Sequence, residues 1–200
     1  MPPTIALVDY GAGNLLSIAN AVKRVGGKAR LARGASGLGK CDALILPGVG
    51  SFALVKRLAG MRGELLKQVE SGKPYLGICL GMQVLFEQSE EARGMGFAVF
   101  EGRVERLPRG VKMPHIGWNQ VEKTGSCALF KGIPDNSFFY FDHSYYAKPK
   151  DKSIVVGRTG YGVRFASAIA CKNVFGVQFH PERSGVVGLR VMKNFIELAR

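Results

Sequence analysis

The sequence has no run that approaches the roughly 18 consecutive apolar residues of a membrane span, although 46% of its 200 residues are hydrophobic. Residues Met1 to Asp9 lack the basic start and the cleavage site of a secretory signal peptide. Both absences argue against a membrane or secreted protein. We therefore expect a cytoplasmic protein that folds as one domain over residues 1–200, a length that suits a single core.

The cysteine spacing of a metal site is also missing. Cys41, Cys79, Cys127 and Cys171 are far apart and form no CxxC pair or Cys/His cluster. We expect free thiols in a reducing compartment, and no metal or cofactor is predicted.

Acidic residues are scarce, since 15 Asp and Glu stand against 28 Lys and Arg and leave a net charge of +13. Such a charge suits nucleic acid, a phosphorylated substrate or an acidic protein partner. The basic residues are scattered, and the densest run, Lys148 to Lys152, is interrupted by Pro149 and Asp151. Without a basic helix or an aromatic stacking motif, this distribution argues against nucleic acid.

What the first half does contain is an alternation of short apolar runs with amphipathic stretches, which is typical of βαβ units and a mainly parallel sheet. The pattern predicts strands at 4–8, 28–32, 43–46 and 75–78, and helices at 14–26, 52–69 and 80–86. After about residue 97, strand-like runs follow at 138–141, 154–156, 166–170 and 174–179, and a last helix at 186–199. We expect a three-layer αβα fold with additional antiparallel strands in its second half.

A nucleophile pattern surrounds Cys79, in Gly77-Ile78-Cys79-Leu80-Gly81. Glycines on both sides permit a strained strand-to-helix turn, and the helix start favours a thiolate and offers N–H groups to an oxyanion. The alternative is a buried structural thiol, which is the usual fate of a lone cysteine. The pattern alone leaves both interpretations open.

A thiol nucleophile needs a base, and the chain has three histidines. In extended chain, residues i and i+2 point to the same face, so His180-Pro181-Glu182 brings a carboxylate beside an imidazole. Asp142 and His143 are adjacent and face apart, and His115 has no acid nearer in sequence than Glu122. His180 is therefore the candidate base, against the alternative of a loop histidine beside a coincidental glutamate.

A glycine-rich loop, Pro47-Gly48-Val49-Gly50, follows the third predicted strand. Its backbone can turn N–H groups toward an anion, so it is a candidate oxyanion hole or anion nest. The alternative is a plain strand-to-helix turn, since glycine loops are common. The loop matches neither a Walker motif nor a dinucleotide fingerprint.

Together and in this order, the three motifs resemble the class I (triad) glutamine amidotransferases, whose domain has a flavodoxin-like fold. Further segments narrow the resemblance to the glutaminases of histidine biosynthesis, and it then runs the length of the chain. These segments are Asp9-Tyr10-Gly11-Ala12-Gly13-Asn14-Leu15, Met113-Pro114-His115-Ile116-Gly117-Trp118-Asn119, His143-Ser144-Tyr145-Tyr146 and Gln178-Phe179-His180-Pro181-Glu182-Arg183-Ser184.

The resemblance implies a glutaminase in which Cys79 is the nucleophile, His180 the acid and base, and Glu182 the residue that orients His180. It implies that ammonia passes to a (β/α)8-barrel cyclase subunit, in a heterodimer, for the synthesis of imidazole glycerol phosphate. The remaining implied roles are oxyanion N–H donors at Val49, Gly50 and Leu80, glutamine binding by Gln83, Glu91, Ser144 and Tyr145, and partner contact by Asn14, Trp118 and Tyr140. Composition alone favours a solvated helix-end charge for Glu91, whereas Trp118 fits packing as well as partner contact.

Two positions depart from the family pattern. Asp142 stands where an apolar residue is more usual, and Arg183 where lysine is common. Competing interpretations are a triad glutaminase for anthranilate, guanylate or pyridoxal phosphate synthesis, a stand-alone cysteine hydrolase, and a non-catalytic module. The N-terminal, Trp118 and Ser-Tyr-Tyr segments argue against the first, and the complete triad argues against the last.

Overall fold

The computed structural model of the protein describes residues 1–92 and 96–199. The first elements are strand β1 (Thr4–Val8), helix α1 (Leu15–Arg24), β2 (Lys28–Ala32), β3 (Ala43–Leu46), α2 (Ala59–Glu70), β4 (Tyr75–Ile78) and α3 (Leu80–Gln83). The chain continues with β5 (Phe86–Ser89), β6 (Phe100–Arg106), β7 (His115–Lys123), β8 (Ser137–His143), β9 (Tyr145–Pro149), β10 (Val155–Gly160), β11 (Arg164–Cys171), β12 (Val174–Val177) and α4 (Gly185–Glu197). Short 3₁₀ helices occupy Ala35–Gly37, Phe52–Leu58, Ala128–Phe130 and Pro181–Arg183.

Within the described residues, nine strands form one sheet in the order β2-β1-β3-β4-β12-β11-β10-β7-β8. Neighbours from β2 to β12 are parallel, and neighbours from β12 to β8 are antiparallel. A smaller sheet joins β5, β6 and β9. The predicted α/β fold with antiparallel strands in its second half is confirmed. The antiparallel strands β11, β10, β7 and β8 continue the sheet beyond its five parallel strands.

The two faces of the parallel strands are covered by different helices. Successive residues of a strand point to opposite faces, and in β1 Ile5 and Leu7 pack into the core that holds α1 and α4. Ala6 and Val8 pack into the second core, which holds α2. The three layers therefore follow from apolar side chains on both faces of the same strands.

Helices α1 and α4 are short and amphipathic. Asn14 caps α1 by accepting a hydrogen bond from the Ser17 N–H at 3.2 Å, and Ile18, Ala21 and Val22 form the buried face of this predicted helix. α4 spans 13 residues. Among the described residues, no helix has the length and apolar character to cross a bilayer.

The helix predicted at 80–86 is wrong beyond its first turn, because α3 ends at Gln83. The Val84 carbonyl accepts from the Phe97 N–H, and the Leu85 carbonyl accepts from the Val99 N–H. These bonds to distant chain replace the next helical turn, and Phe86 opens β5 instead. The helix predicted at 52–69 is present, but it begins as the 3₁₀ helix Phe52–Leu58 and becomes α2 only at Ala59.

Candidate active site

Cys79 lies in a strained turn between β4 and α3. Its backbone has φ +54° and ψ −109°, a conformation that residues other than glycine rarely adopt. The Cys79 N–H donates to the Val177 carbonyl at 2.8 Å, which ties the turn to β12. A Cβ on Gly81 would collide with the Leu46 carbonyl. Only glycine at that position therefore allows this turn to lie against the end of β3.

His180 reaches the same sheet edge because it follows β12, the parallel neighbour of β4. Its backbone N–H donates to the Tyr140 carbonyl at 2.9 Å. Its Nδ1 lies 3.0 Å from Glu182 Oε1, and the two side chains are only 3% and 2% exposed. Glu182 thus fixes the tautomer with a proton on Nδ1. Among the described residues, His180 Nε2 makes no hydrogen bond.

Charge partners decide the protonation of His180. Burial lowers the pKa of His180, but the neighbouring Cys79 and Glu182 outweigh burial and raise it to about 10. The Cys79 sulfur also lies 3.8 Å from the Asp142 carbonyl oxygen in this conformation. Cys79 and His180 have the arrangement of a nucleophile and its base.

A polar cleft of about 290 Å³ opens beside the Cys79 sulfur. It is lined by Gly50, Ser51, Cys79, Gln83, Glu91, Pro114, Asp142, His143, Ser144 and Tyr145. The structure therefore brings Gln83, Glu91, Ser144 and Tyr145 together around the thiol. Glu91 is not at a helix end, since it lies beyond β5 and accepts from the Phe52 N–H at 2.7 Å.

The glycine loop after β3 packs directly on this turn. A Cβ on Gly48 would collide with the Leu80 side chain, so the loop and the start of α3 are in close contact. Gly50 has φ +102°, and Val49 is 42% exposed. The first N–H groups of a helix have no partner within it, which leaves the Leu80 N–H available for an oxyanion.

Comparisons with known proteins show the family of this chain. The family model described as glutamine amidotransferase class-I matches residues 6–198. The chain belongs to the class-I glutamine amidotransferase family. It is 48% identical to the imidazole glycerol phosphate synthase subunit HisH of Methanothermobacter thermautotrophicus, over 98% of this chain and 99% of that protein. It is 47% identical to the HisH subunit of Methanocaldococcus jannaschii, over 97% of this chain and 99% of that protein.

Solved structures share the fold of this amidotransferase. A crystal structure of a glutamine amidotransferase superposes with a TM-score of 0.77 at 24% identity, over 97% of this chain and 98% of that chain. The PurLQS structure from Thermotoga maritima has a TM-score of 0.76 at 20% identity, over 100% and 98% of the two chains. At these identities the likeness supports the fold alone.

Gln178, which was not predicted as a site residue of this amidotransferase, places its Nε2 3.4 Å from the Cys79 sulfur. Gln178 is fully buried. A signal was available, because Gln178 precedes His180 by two residues in extended chain and therefore points the same way.

A pair of buried histidines adjoins the cleft. His115 and His143 face each other across β7 and β8, with His115 Nδ1 3.0 Å from His143 Nε2. His143 Nδ1 lies 2.9 Å from the Tyr145 carbonyl, which can only accept, so that nitrogen carries a proton. Burial lowers the pKa of His115 to about 4 and that of His143 to about 3. Both rings are therefore neutral at neutral pH.

The residues expected to contact a partner lie near the same edge. Trp118 is 55% exposed and packs edge-to-face with Tyr140 at a centroid separation of 6.2 Å. The Arg183 guanidinium carbon lies 3.9 Å from the centroid of the Tyr140 ring. Arg183 also lies 3.6 Å from the Asp142 carboxylate. The two positions that depart from the family pattern therefore pair with each other. Asn14 lies at the start of α1, after the carboxyl end of β1.

Proposed function

We propose that the chain is the glutamine-hydrolysing subunit of an imidazole glycerol phosphate synthase in histidine biosynthesis. Cys79, His180 and Glu182 form its triad, and residues 1–200 form one cytoplasmic amidotransferase domain. The observation that carries the proposal is the buried thiol, imidazole and carboxylate below a polar cleft. Identity of 48% to a HisH subunit over nearly the whole chain supports the choice of pathway.

The reaction begins with attack of the Cys79 sulfur on the side-chain amide carbon of glutamine. His180 holds the proton that the Cys79 thiol has given up and donates it to the departing nitrogen, so that ammonia leaves and a thioester remains. Water then attacks the thioester, His180 takes its proton, and glutamate is released as the thiol forms again. Glu182 holds the imidazole in the tautomer that directs Nε2 toward the reacting atoms.

Backbone donors stabilise the negative oxygen of both tetrahedral intermediates. Leu80 offers the first N–H of α3, and the Val49–Gly50 segment, which follows the contact of Gly48 with Leu80, supplies the second donor. Loss of one such donor costs on the order of 100-fold or more in rate. The contact between Gly48 and Leu80 supports a shared oxyanion hole.

The cleft walls suit the amino-acid end of glutamine. Glu91 presents a carboxylate that is complementary to the α-ammonium group, and its bond to the Phe52 N–H holds it in place. Gln83 Nε2 donates to the Tyr145 carbonyl at 2.8 Å and to Gln178 Oε1 at 3.0 Å. Both Gln83 hydrogens are thereby used, so Gln83 meets the substrate as an acceptor, beside Ser144 and Tyr145.

The partner is a cyclase subunit of (β/α)8-barrel fold that combines with this chain in a heterodimer. Direct transfer delivers ammonia before it is protonated in solvent. Ile116, Trp118 and Phe138 are 59%, 55% and 52% exposed on neighbouring strands, with Tyr140 opposite Trp118. An exposed apolar and aromatic face of this kind is typical of a docking surface. The net charge of +13 suits an acidic face on the cyclase.

The test is glutamate release from glutamine by the chain alone, and with the cyclase subunit and its nucleotide ligand. We expect activity that rises in the complex and disappears in Cys79→Ala. Full activity of the isolated chain would indicate an autonomous hydrolase, and no activity in either state would refute the proposal.

The docking surface has its own test. Trp118→Ala is expected to weaken binding to the cyclase by about 2 kcal/mol. Leu31→Ala, which removes an exposed apolar side chain from β2 at the other edge of the sheet, serves as the control. Equal affinities of the two variants would contradict the assigned face.

A further inference from the structure

The Cys79 sulfur has a hydrogen-bond donor beside it that no triad member supplies. Gln178 Nε2 lies 3.4 Å from Sγ, within hydrogen-bonding range for sulfur, and the glutamine side chain is fully buried. A buried amide makes strong electrostatic contacts because little water screens it. Which end of the amide faces the sulfur then matters, since only the nitrogen stabilises a thiolate.

The surrounding hydrogen bonds determine that orientation. The Tyr145 backbone carbonyl can only accept, so the Gln83 atom 2.8 Å away must be its amide nitrogen. The same nitrogen lies 3.0 Å from the Gln178 amide and gives its second hydrogen to Gln178 Oε1. With its oxygen occupied by Gln83, Gln178 can present only its nitrogen to Cys79.

The hydrogen bonds that link Tyr145, Gln83, Gln178 and Cys79 form a connected series, and the fold fixes its first acceptor. The Tyr145 carbonyl also accepts from His143 Nδ1 at 2.9 Å, so two side chains hold it at the start of β9. The series from Tyr145 through Gln83 and Gln178 to Cys79 thus connects a strand of the smaller sheet with the nucleophile in the turn after β4 of the main sheet.

We propose that Gln178 is a catalytic residue of this amidotransferase, which donates a hydrogen bond to the Cys79 sulfur and is oriented for that task by Gln83. This inference rests on the proposed glutaminase function. The bond favours the thiolate during attack on the amide carbon. It acts again in thioester hydrolysis, when the carbon–sulfur bond breaks and its electron pair returns to sulfur.

The chemistry of an amide suits this position. A primary amide donates a hydrogen bond without exchanging its proton near neutral pH, so Gln178 does not compete with His180 for the thiol proton. A glutamate in its place would direct negative charge at the thiolate. A methionine would fill similar space and donate nothing.

The test compares Gln178→Met and Gln178→Glu with Ser167→Ala. Ser167 is fully buried on β11, its carbonyl accepts from the Gln178 N–H, and its hydroxyl has no hydrogen-bond partner among the described residues. Ser167→Ala therefore perturbs the same packing without changing the series of bonds. Thermal unfolding of each variant establishes that it is folded, and Gln178→Glu retains the native side-chain volume if Gln178→Met does not fold.

The first measurement is the rate of iodoacetamide alkylation of Cys79 against pH, followed by peptide mass spectrometry in the full chain without partner or glutamine. We expect the midpoint of the profile to move to higher pH by roughly one to two units in Gln178→Met and further in Gln178→Glu. Ser167→Ala is expected to match the native chain. Coincident profiles of Gln178→Met and the native chain would overturn the proposal.

The second measurement is glutamate release in the complex with the cyclase. In Gln178→Met we expect kcat to fall by roughly 10- to 100-fold with a much smaller change in KM, because the lost contact is to the reacting sulfur. An increase in KM alone would assign Gln178 to substrate binding and overturn the proposal. If the native complex releases no glutamate, the proposed function fails, while the alkylation profiles still decide the role of Gln178.

Discussion

Buried histidines occupy two neighbouring environments in this amidotransferase and differ in charge between them. His180 is 2% exposed, and His115 and His143 are 3% and 6% exposed. The pKa of His180 is raised to about 10, whereas that of His115 is lowered to about 4 and that of His143 to about 3. At neutral pH the first ring is protonated and the other two are neutral.

The difference shows that partners, rather than burial, decide which histidine is the base. Burial lowers the pKa of all three rings. His180 alone has a carboxylate and a thiol as neighbours, while His115 accepts from the Asn119 amide at 3.2 Å and stacks on Tyr161 with ring centroids 3.9 Å apart. Neutral neighbours leave the cost of burying a charge uncompensated.

The largest expected effect comes from removing the charged histidine. His180→Gln should lower glutamate release in the complex by on the order of 10⁴-fold or more, since the reaction loses its acid and base. His115→Gln is the matched control, because it removes a ring of equal burial that does not contact the thiol. Similar losses in the two variants would mean that the neutral pair also takes part in proton transfer.

A smaller loss is expected when His180 keeps its ring but loses its carboxylate. Glu182→Gln should reduce kcat by roughly 10²- to 10⁴-fold, because the imidazolium loses its counter-charge and its fixed tautomer. The pKa of His180 should fall in this variant, toward the values of the neutral pair. Nitrogen NMR titration of the ring measures this, and an unchanged titration would assign the raised pKa to Cys79 alone.

The converse change introduces a carboxylate beside the neutral pair. The Asn119 oxygen accepts from the Gln120 N–H at 2.8 Å, so its nitrogen faces His115 Nε2. The carboxylate of Asn119→Asp can only accept a hydrogen bond, so His115 Nε2 must carry a proton in order to donate one. We expect the pKa of His115 to rise by roughly two units or more.

Moving the His115 proton from Nδ1 to Nε2 would not satisfy all hydrogen bonds in the Asn119→Asp variant. If His115 moved its proton to Nε2, His143 would have to donate from its own Nε2, and its Nδ1 would face the Tyr145 carbonyl without a proton. Charging His115 avoids that conflict. Histidine NMR titration of Asn119→Asp against the native chain measures the outcome, and a pKa that stays near 4 would show that burial outweighs an adjacent carboxylate here.

The sequence predicted those features that depend on nearby residues. Apolar runs and glycine stops predicted the elements of the parallel half, and spacing within His180-Pro181-Glu182 predicted that imidazole and carboxylate would meet. Cys79 was found because its flanking glycines are a local requirement of the strained turn.

Features that depend on strand register were not predictable in this way. His115 and His143 are 28 residues apart and meet only because β7 and β8 pair in one register. The bond between Gln178 and Cys79 spans 99 residues. The early end of α3 follows from bonds to residues beyond β5. Periodicity contains no information on such pairings, which the complete fold determines.

The smallest expected effect is on the pH dependence of stability. An unfolded histidine has a pKa near 6.5, above the lowered pKa values of folded His115 and His143. Between about pH 6.5 and 4 the unfolded chain therefore binds more protons, and the free energy of unfolding falls as the pH falls. His180 has the opposite sign, since its raised pKa contributes stability below about pH 6.5 that is lost as the pH rises toward 10.

His115→Gln separates these two contributions. Without the His115 ring, roughly 2 kcal/mol of the stability change between pH 7 and 4 should disappear, measured by urea unfolding at a series of pH values. The loss of stability as the pH rises from about 6.5 toward 10, which depends on His180, should remain. Asn119→Asp should also reduce the fall in the free energy of unfolding between pH 7 and 4. In that variant folded His115 is charged over much of this range, as it is in the unfolded chain. If both variants retained the native acid slope, the protons taken up on unfolding would belong to other groups, and the neutral state of the pair would be refuted.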